Sequence, residues 1–339
     1  MNPITKASIR RFKAHRRGFY SFWILFVFYG LSLIAELIAH NHPIMMGYQG
    51  KWYFPLTRFY ASTEFGLFEP TAPQYKILTQ SSSFKEHGGW AIFPLIPFAE
   101  QESDDKLDSP PPTRPSTTHW LGTDDRGRDL LVRLIYGFRN SMTFALLSCV
   151  LVMVVAYSIG AIQGYLGGWT DLIGQRLTEI WNALPILYVI IFLLSIFSPG
   201  LSLLLMVWVA FQWVGLSAYV RAEVLRVRKQ DYIIAAKAMG FSLPRILFHH
   251  ILPNTLTPLI TFSPFIIASS IGSLAALDYL GLGLPPPAAS WGELLRQGKE
   301  NLQSWWLSLF PFLSLFLTLL LLNFVGESIR ASWDARSTD

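Results

Sequence analysis

Charge is what this sequence has least of. Only 14% of its 339 residues are Asp, Glu, Lys or Arg. An ordinary soluble domain carries roughly a quarter, so there is too little charge here to cover a globular surface. Cysteine is almost missing: Cys149 stands alone, which excludes an intramolecular disulfide and makes it a small packing residue in an apolar run. The usual catalytic signatures are missing as well. The chain has no G-x-x-x-x-G-K-[ST] phosphate loop, no H-E-x-x-H, no G-x-S-x-G and no cysteine pair, so no catalytic, cofactor or metal site is expected in it. The net charge of +5 does not argue for nucleic acid, because cytoplasmic segments of membrane proteins gather Lys and Arg.

What the sequence does have is long uncharged runs. A helix needs about 20 apolar residues to cross a bilayer. Residues 19–35, 140–170, 180–220, 251–277 and 301–326 are all uncharged. The third run is 41 residues long and is divided by Ser198-Pro199-Gly200, which makes two spans. GYLGGWT at its upstream neighbour's end reads as a glycine-rich turn. Six transmembrane helices result. Pro185, Pro264 and Pro311 are tolerable inside them, since neighbouring helices can satisfy the freed backbone groups. The first run follows a basic stretch (Lys6, Arg10, Arg11, Lys13, Arg16, Arg17) and could pass for a signal peptide. Its exit, Leu37-Ile38-Ala39-His40, lacks an A-x-A cleavage site, so an uncleaved anchor is expected.

The basic clusters set the orientation. Six Lys and Arg in the first 17 residues place the N-terminus in the cytoplasm. Six crossings return the C-terminus, with Arg330 and Arg336, to the same side. They also place there the loop holding Arg221, Arg226, Arg228, Lys229, Lys237 and Arg245. The chain then divides into a basic N-terminus (1–18), span one (19–39), an outside segment (40–139), a core (140–330) with spans two to six and a cytoplasmic loop at about 221–253, and a tail (331–339). Pro110-Pro111-Pro112 and Pro115 read as a stiff extended connector. Nearly all the spans lack ionisable residues. Glu36 and Asp278 fall at span ends, where water or headgroups are within reach, which argues against a proton-coupled carrier.

The loop at 231–254, DYIIAAKAMGFSLPRILFHHILPN, is the oddity. Tyr232, Ala235, Ala236 and Met239 recur at helical spacing, on a helix read as continuous from Arg221 to Met239. Gly240 is suited to a left-handed stop. Ser242 can cap a second helix with Pro244 in its first turn, and Leu243, Ile246 and Leu247 give it an apolar face. Two readings fit: a helical hairpin inserted into a partner's groove, or an interfacial helix lying on anionic lipid. His249 and His250 point about 100° apart on a helix and do not make a metal pair. The charged stretch Asp124, Asp125, Arg126, Arg128, Asp129 is either a docking surface or a self-paired face. PPPAASWGE at 285–293 is a similar loop.

Several ordered motifs carry a family resemblance. Ala235-Ala236, Gly240 and Leu252-Pro253 resemble the EAA loop of ABC-transporter permeases, with Ile234 in place of the glutamate that names it. HWLGTDDRGRD (119–129), GYLGGWTD (164–171), LDYLGLGLPPPAASWGELL (277–295) and WWLSLFP…GESIR (305–330) resemble the C-type branch of the oligopeptide and dipeptide permeases. The long segment before them is similar to that of Yej-type peptide and microcin C importer permeases. The resemblance implies an all-α polytopic membrane protein with the type I ABC importer permease fold. It implies an inner-membrane subunit that forms half of a translocation pathway and catalyses nothing, ATP and Mg being bound by a partner ATPase. Implied partners are a second permease subunit, one or more ATP-binding subunits, a periplasmic substrate-binding protein, a peptide and the lipid bilayer. The implied ATPase-coupling residues are Ala235, Ala236, Gly240, Phe241, Ser242, Leu243, Pro244, Arg245, Ile246, Leu247, Leu252 and Pro253. Asp124, Asp125, Arg126, Arg128 and Asp129 are the candidate contacts with the binding protein. The alternative is a secondary transporter or another membrane protein without ATPase coupling. A secondary transporter would need intramembrane charges or inverted repeats, and the sequence displays neither.

Overall fold

A computed structural model describes residues 3–68, 71–107 and 109–333; Arg336 and most of the expected tail lie outside the described residues. In chain order the elements are α1 (Pro3–Ala14), α2 (Arg16–Leu33), α3 (Ala35–Ile38), β1 (Met45–Tyr48), β2 (Lys51–Tyr53), α4 (Tyr75–Leu78), α5 (Ser82–Glu86), β3 (Trp90–Ile92), α6 (Leu130–Leu166), α7 (Gly168–Asn182), α8 (Ile186–Ile196), α9 (Leu201–Val227), α10 (Asp231–Ala238), α11 (Leu243–Arg245), α12 (Leu256–Tyr279), α13 (Trp291–Glu300) and α14 (Trp305–Trp333). A π-helical turn, Ile246–Ile251, and a 3-10 turn, Leu252–Asn254, join α11 to α12. Helix dominates, as expected for a polytopic permease.

Among the described residues, α6, α9, α12 and α14 are each long and apolar enough to cross a membrane, and α7 with α8 makes a fifth span if the bent pair is counted as one. The sixth expected span, α2, begins with Arg16 and Arg17 and gives way to α3 after Leu33. Its rings at Phe22, Trp23, Phe26 and Phe28 are nonetheless exposed along its length. Span two starts ten residues earlier than its uncharged run, because the carboxylate of Asp129 accepts the N–H of Val132 (2.9 Å) and caps α6. The GYLGGWT turn shrinks to Gly167, at φ 64°, before α7 begins at once.

Pro264 and Pro311 stay inside their helices, but Pro185 does not. It follows a break at residues 183–185 that bends α7 against α8 by 70°. Proline removes an N–H and drives the preceding residue, here Leu184, out of the helical region. Asp278 also departs from expectation: it is buried inside α12, where its Oδ1 accepts the N–H of Leu284 (2.6 Å).

The chain divides into two compact units. The first holds residues up to Phe26, Ser141–Pro285 and the chain from Leu315 onward. Its larger core packs Val152, Ala156, Tyr157 and Ala161 of α6 against Val220, Val224 and Val227 of α9, with Ile233, Ile246, Leu247 and Ile251 below. Gly160 and Gly164 set the closeness of that packing. A Cβ on Gly160 would stand 2.5 Å from the Ser217 carbonyl, and one on Gly164 would stand 2.8 Å from that of Arg221. This is a small-xxx-small contact between membrane helices.

The second unit holds Val27–Asn140 and Pro286–Ser314. Its small sheet has the order β2-β1-β3, antiparallel throughout. One face closes over Met46, Tyr48, Tyr53, Phe65, Tyr75, Leu78 and Phe84. On the other face Gly47 lies opposite both Trp52 and Trp90, whose rings meet edge to face at 5.5 Å. Ser290 caps α13, accepting the N–H of Glu293 (3.3 Å). That frees the Glu293 carboxylate for a use described below.

Candidate coupling loop and charged segment

The loop between α9 and α12 is a sequence of breaks, each with a local cause. The helix expected to run from Arg221 to Met239 is interrupted at residues 228–230, where three charged or amide side chains follow Val227. Arg228 turns back there, its Nη1 donating to the carbonyls of Gly164 (2.9 Å) and Tyr165 (3.2 Å). Arg221 lies within α9 itself, where its guanidinium makes a two-pronged pair with Asp171 of α7; Nη2 donates to Oδ2 at 2.6 Å. The basic cluster is therefore partly internal.

Gly240 is where it was expected, at φ 75°. The Gly240 N–H donates to the Lys237 carbonyl (3.0 Å) and the Phe241 N–H to that of Ala236 (3.2 Å). This pair of bonds is a Schellman motif, which requires a left-handed residue at the position of Gly240. Ser242 then occupies the N-cap position of α11 in extended backbone, but its hydroxyl makes no capping bond. Pro244 takes the first turn. The following segment winds as a π-helix, and the Tyr157 hydroxyl donates to the Leu247 carbonyl (2.7 Å). Such turns leave i-to-i+5 spacing and recur at functional sites.

Which side chains face out differs from the sequence reading. Ile233, Ala236, Ile246, Leu247 and Ile251 are the buried ones. Tyr232, Ala235 and Met239, expected on one face with Ala236, and Leu243, expected on the second helix's face with Ile246 and Leu247, are exposed, together with Ile234, Phe248 and Pro244. A regular helix would put residues 232, 235, 236 and 239 together, and only Ala236 of those turns inward. The loop thus presents an uncovered apolar rim. On that rim Phe241 meets the Arg245 guanidinium at 4.3 Å and the stacked His250 ring at 5.5 Å. His249 is exposed. No cluster of three or more metal-ligating side chains exists among the described residues.

The charged segment in the second unit is a different kind of site. Asp124, Arg128 and Asp129 are buried, so the reading of all five residues as surface contacts is corrected. Only Asp125 and Arg126 retain exposure. Asp124 Oδ1 accepts the N–H groups of Arg126 and Arg128 (2.9 Å each), and its Oδ2 accepts from Arg128 Nε (2.7 Å). Arg133, missed because it lies inside what became α6, is fully buried. Its Nη2 donates to Glu293 (2.6 Å) and to the Ala288 carbonyl (3.1 Å). Its Nη1 donates to the carbonyls of Glu100 (3.1 Å) and Pro287 (3.3 Å). Gln297 completes the set by donating to Glu293 (3.2 Å). Glu293 stands three residues after the Ser290 cap of α13 and serves Arg133 as its counter-ion. Burial, reinforced by the neighbouring Asp124, raises the Asp125 carboxyl above its ordinary range.

His119 sits beside this network with a carboxylate on each nitrogen: Asp129 on Nδ1 (2.8 Å) and Asp104 on Nε2 (3.3 Å). Burial alone would depress its pKa, but the two carboxylates outweigh burial and raise it above the ordinary 6.5. A raised histidine contributes stability that is whole below its ordinary value and is lost as pH climbs through the raised one. The detergent-solubilised protein is therefore expected to melt at progressively lower temperature as pH rises above about 6.5, and H119Q should flatten that slope. Identical slopes in the two proteins would remove His119 from the account.

Sequence and profile comparisons place these sites in a family. The profile for "Binding-protein-dependent transport system inner membrane component" matches residues 156–338, and the chain belongs to that family. It is a multi-pass inner-membrane permease of an ABC transporter, of the type I importer fold. An inner membrane ABC transporter permease protein YejE from Escherichia coli K12 is 44% identical over 98% of this chain and 98% of its own length. A peptidoglycan transport system permease protein YejE from Agrobacterium fabrum C58 is 40% identical over 99% of this chain and 94% of its own. A dipeptide transport system permease protein DppC from Alkalihalophilus pseudofirmus OF4 is 35% identical over 73% of this chain and 81% of its own. These relatives are transport permeases rather than enzymes, and family membership brings ATP-binding subunits and a substrate-binding protein as partners.

Proposed function

We propose that this chain is one of two permease subunits of an ATP-driven importer of peptides, and that residues 231–253 couple it to its ATPase. The observation that carries the coupling reading is the uncovered apolar rim of the loop, Tyr232, Ile234, Met239, Leu243 and Phe248, held on a buried base. An apolar face mounted on rigid packing suits insertion into a protein groove, with the Gly240 turn fixing the angle between its halves. Peptide as cargo follows from the relatives named for dipeptide and peptidoglycan transport. Both termini and the 231–253 loop are assigned to the cytoplasm by the positive-inside rule, and residues 40–139 to the periplasm. There Asp125 and Arg126 are the residues left to meet a binding protein.

ATP-driven closure of the ATPase would carry the loop with it and tilt the spans between inward- and outward-facing states. The direct test is cysteine crosslinking between positions 241–249 and the ATPase in the assembled complex. Crosslinks are expected, with yields that change between nucleotide states. If no pair crosslinks in any state while the complex is intact, the loop does not dock there, and the lipid-surface reading takes its place.

A further inference from the structure

A cavity of about 350 Å³ lies within the first unit, between α9, α12 and the end of α7. Its walls include Gln212, Gly215 and Tyr219 from α9, Phe262 and Ser269 from α12, and Asn182 from α7. Residues 212, 215 and 219 follow helical spacing and lie near the middle of a 27-residue helix. Residues 262 and 269 bracket the middle of the 24-residue α12. The cavity therefore falls at about the depth of the bilayer centre, given a rise of about 1.5 Å per residue.

Its chemistry is unusual for that depth. Gln212 donates to the Ser269 hydroxyl (3.0 Å), which in turn donates to the Ile266 carbonyl (2.9 Å). The side chains of Asn182 and Tyr219 make no hydrogen bond among the described residues; Tyr219 instead lays its ring on Phe262 at 4.5 Å. Asn182 also stands at the break that Pro185 imposes on the α7–α8 pair. Broken helices and polar side chains are tolerated at membrane depth where they line a water-filled cavity or a substrate path. Gly215 makes room: a Cβ there would meet nothing within 4 Å.

From these observations, and building on the importer reading above, we infer that this cavity is the stretch of translocation pathway this chain supplies, and that it recognises the backbone of its cargo. No lining residue carries a formal charge. Carboxamides both donate and accept, so Asn182 and Gln212 offer partners to peptide N–H and C=O groups alike. Aromatic walls accommodate side chains without selecting among them. The cavity thus takes an uncharged, hydrogen-bonding chain and leaves sequence preference to the binding protein.

The test uses the full complex in proteoliposomes: this chain, the second permease, the ATPase and the binding protein, with labelled peptides as cargo. Cys149 is buried, and a C149S background leaves a thiol introduced by G215C as this chain's only one. A membrane-impermeant thiol reagent is expected to modify it in one nucleotide state and not in another, and modification should cut uptake at least tenfold. G215W should do the same without reagent, while the second permease still co-purifies and binding protein still stimulates ATP hydrolysis. Wild-type uptake by G215W, or a thiol that never reacts in the assembled complex, overturns the assignment. Loss of the second permease from G215W also overturns it, making the cavity a subunit seam. If the wild-type complex moves no peptide yet labelling still alternates with nucleotide, the pathway stands and the peptide reading fails.

Discussion

Uptake is expected to fall at least tenfold when Gly240 becomes valine, with membrane insertion and protein level unchanged. A β-branched residue in the left-handed region costs roughly 1–2 kcal/mol, and Gly240 stands at φ 75°. Open space surrounds it, with nothing within 4 Å of an added Cβ, so the penalty is one of backbone conformation and not of collision. The chain relieves it by abandoning the paired bonds from Gly240 and Phe241 to Lys237 and Ala236. That swings α11 and the π-turn away from α10 and separates ATP hydrolysis from transport. Asparagine, which tolerates the left-handed region better than other side-chain-bearing residues, should retain most activity where valine loses it. Side-by-side uptake and ATPase assays decide the matter. Wild-type uptake by G240V, or equal losses in G240V and G240N, would count against a conformational role for the turn.

The largest effect on stability is expected at Arg133. R133A strips a fully buried guanidinium from Glu293 and from three carbonyls, those of Glu100, Pro287 and Ala288. Breaking a buried pair from one side costs about 3–5 kcal/mol, because the partner charge is left uncompensated. For a protein of this size that is a fall of about 4–7 °C in melting temperature. R133K should recover little, since an ammonium cannot reproduce the forked geometry. The double replacement R133M/E293L removes both charges and should be milder than R133A alone. A melting temperature for R133A close to wild type, read by thermal unfolding in detergent, would show that the second unit does not depend on this network.

Features governed by local chemistry were legible in the sequence. Gly240, Pro244 and the division at Ser198-Pro199-Gly200 act through their own backbones, and each does in the structure what its residue type dictates. The spans declared themselves through lack of charge. Features that depend on contacts distant in the chain were hidden. Arg133 and Glu293 lie 160 positions apart, and separately each looks like a surface charge. The start of α6 was hidden for the same reason: Arg139 ends the uncharged run, yet it pairs with Glu36 far back in the chain while the helix continues to Leu130. The rim of the loop was misassigned for a related reason. Spacing shows which residues share a helix face but not whether that face turns toward the core, and Ile233, one position away, took the inward place. Gly160 and Gly164 form a G-x-x-x-G pair, and only the closeness of α9 shows which helix they admit.

That closeness has a mechanical consequence. The glycine seam and the Arg228 clasp fasten α9 to α6, so a pull on the loop acts on a stiff beam about 40 Å long. Under the coupling reading, a displacement of the loop would therefore carry α9 and α6 together as one body, at the depth where Gln212 and Ser269 face each other.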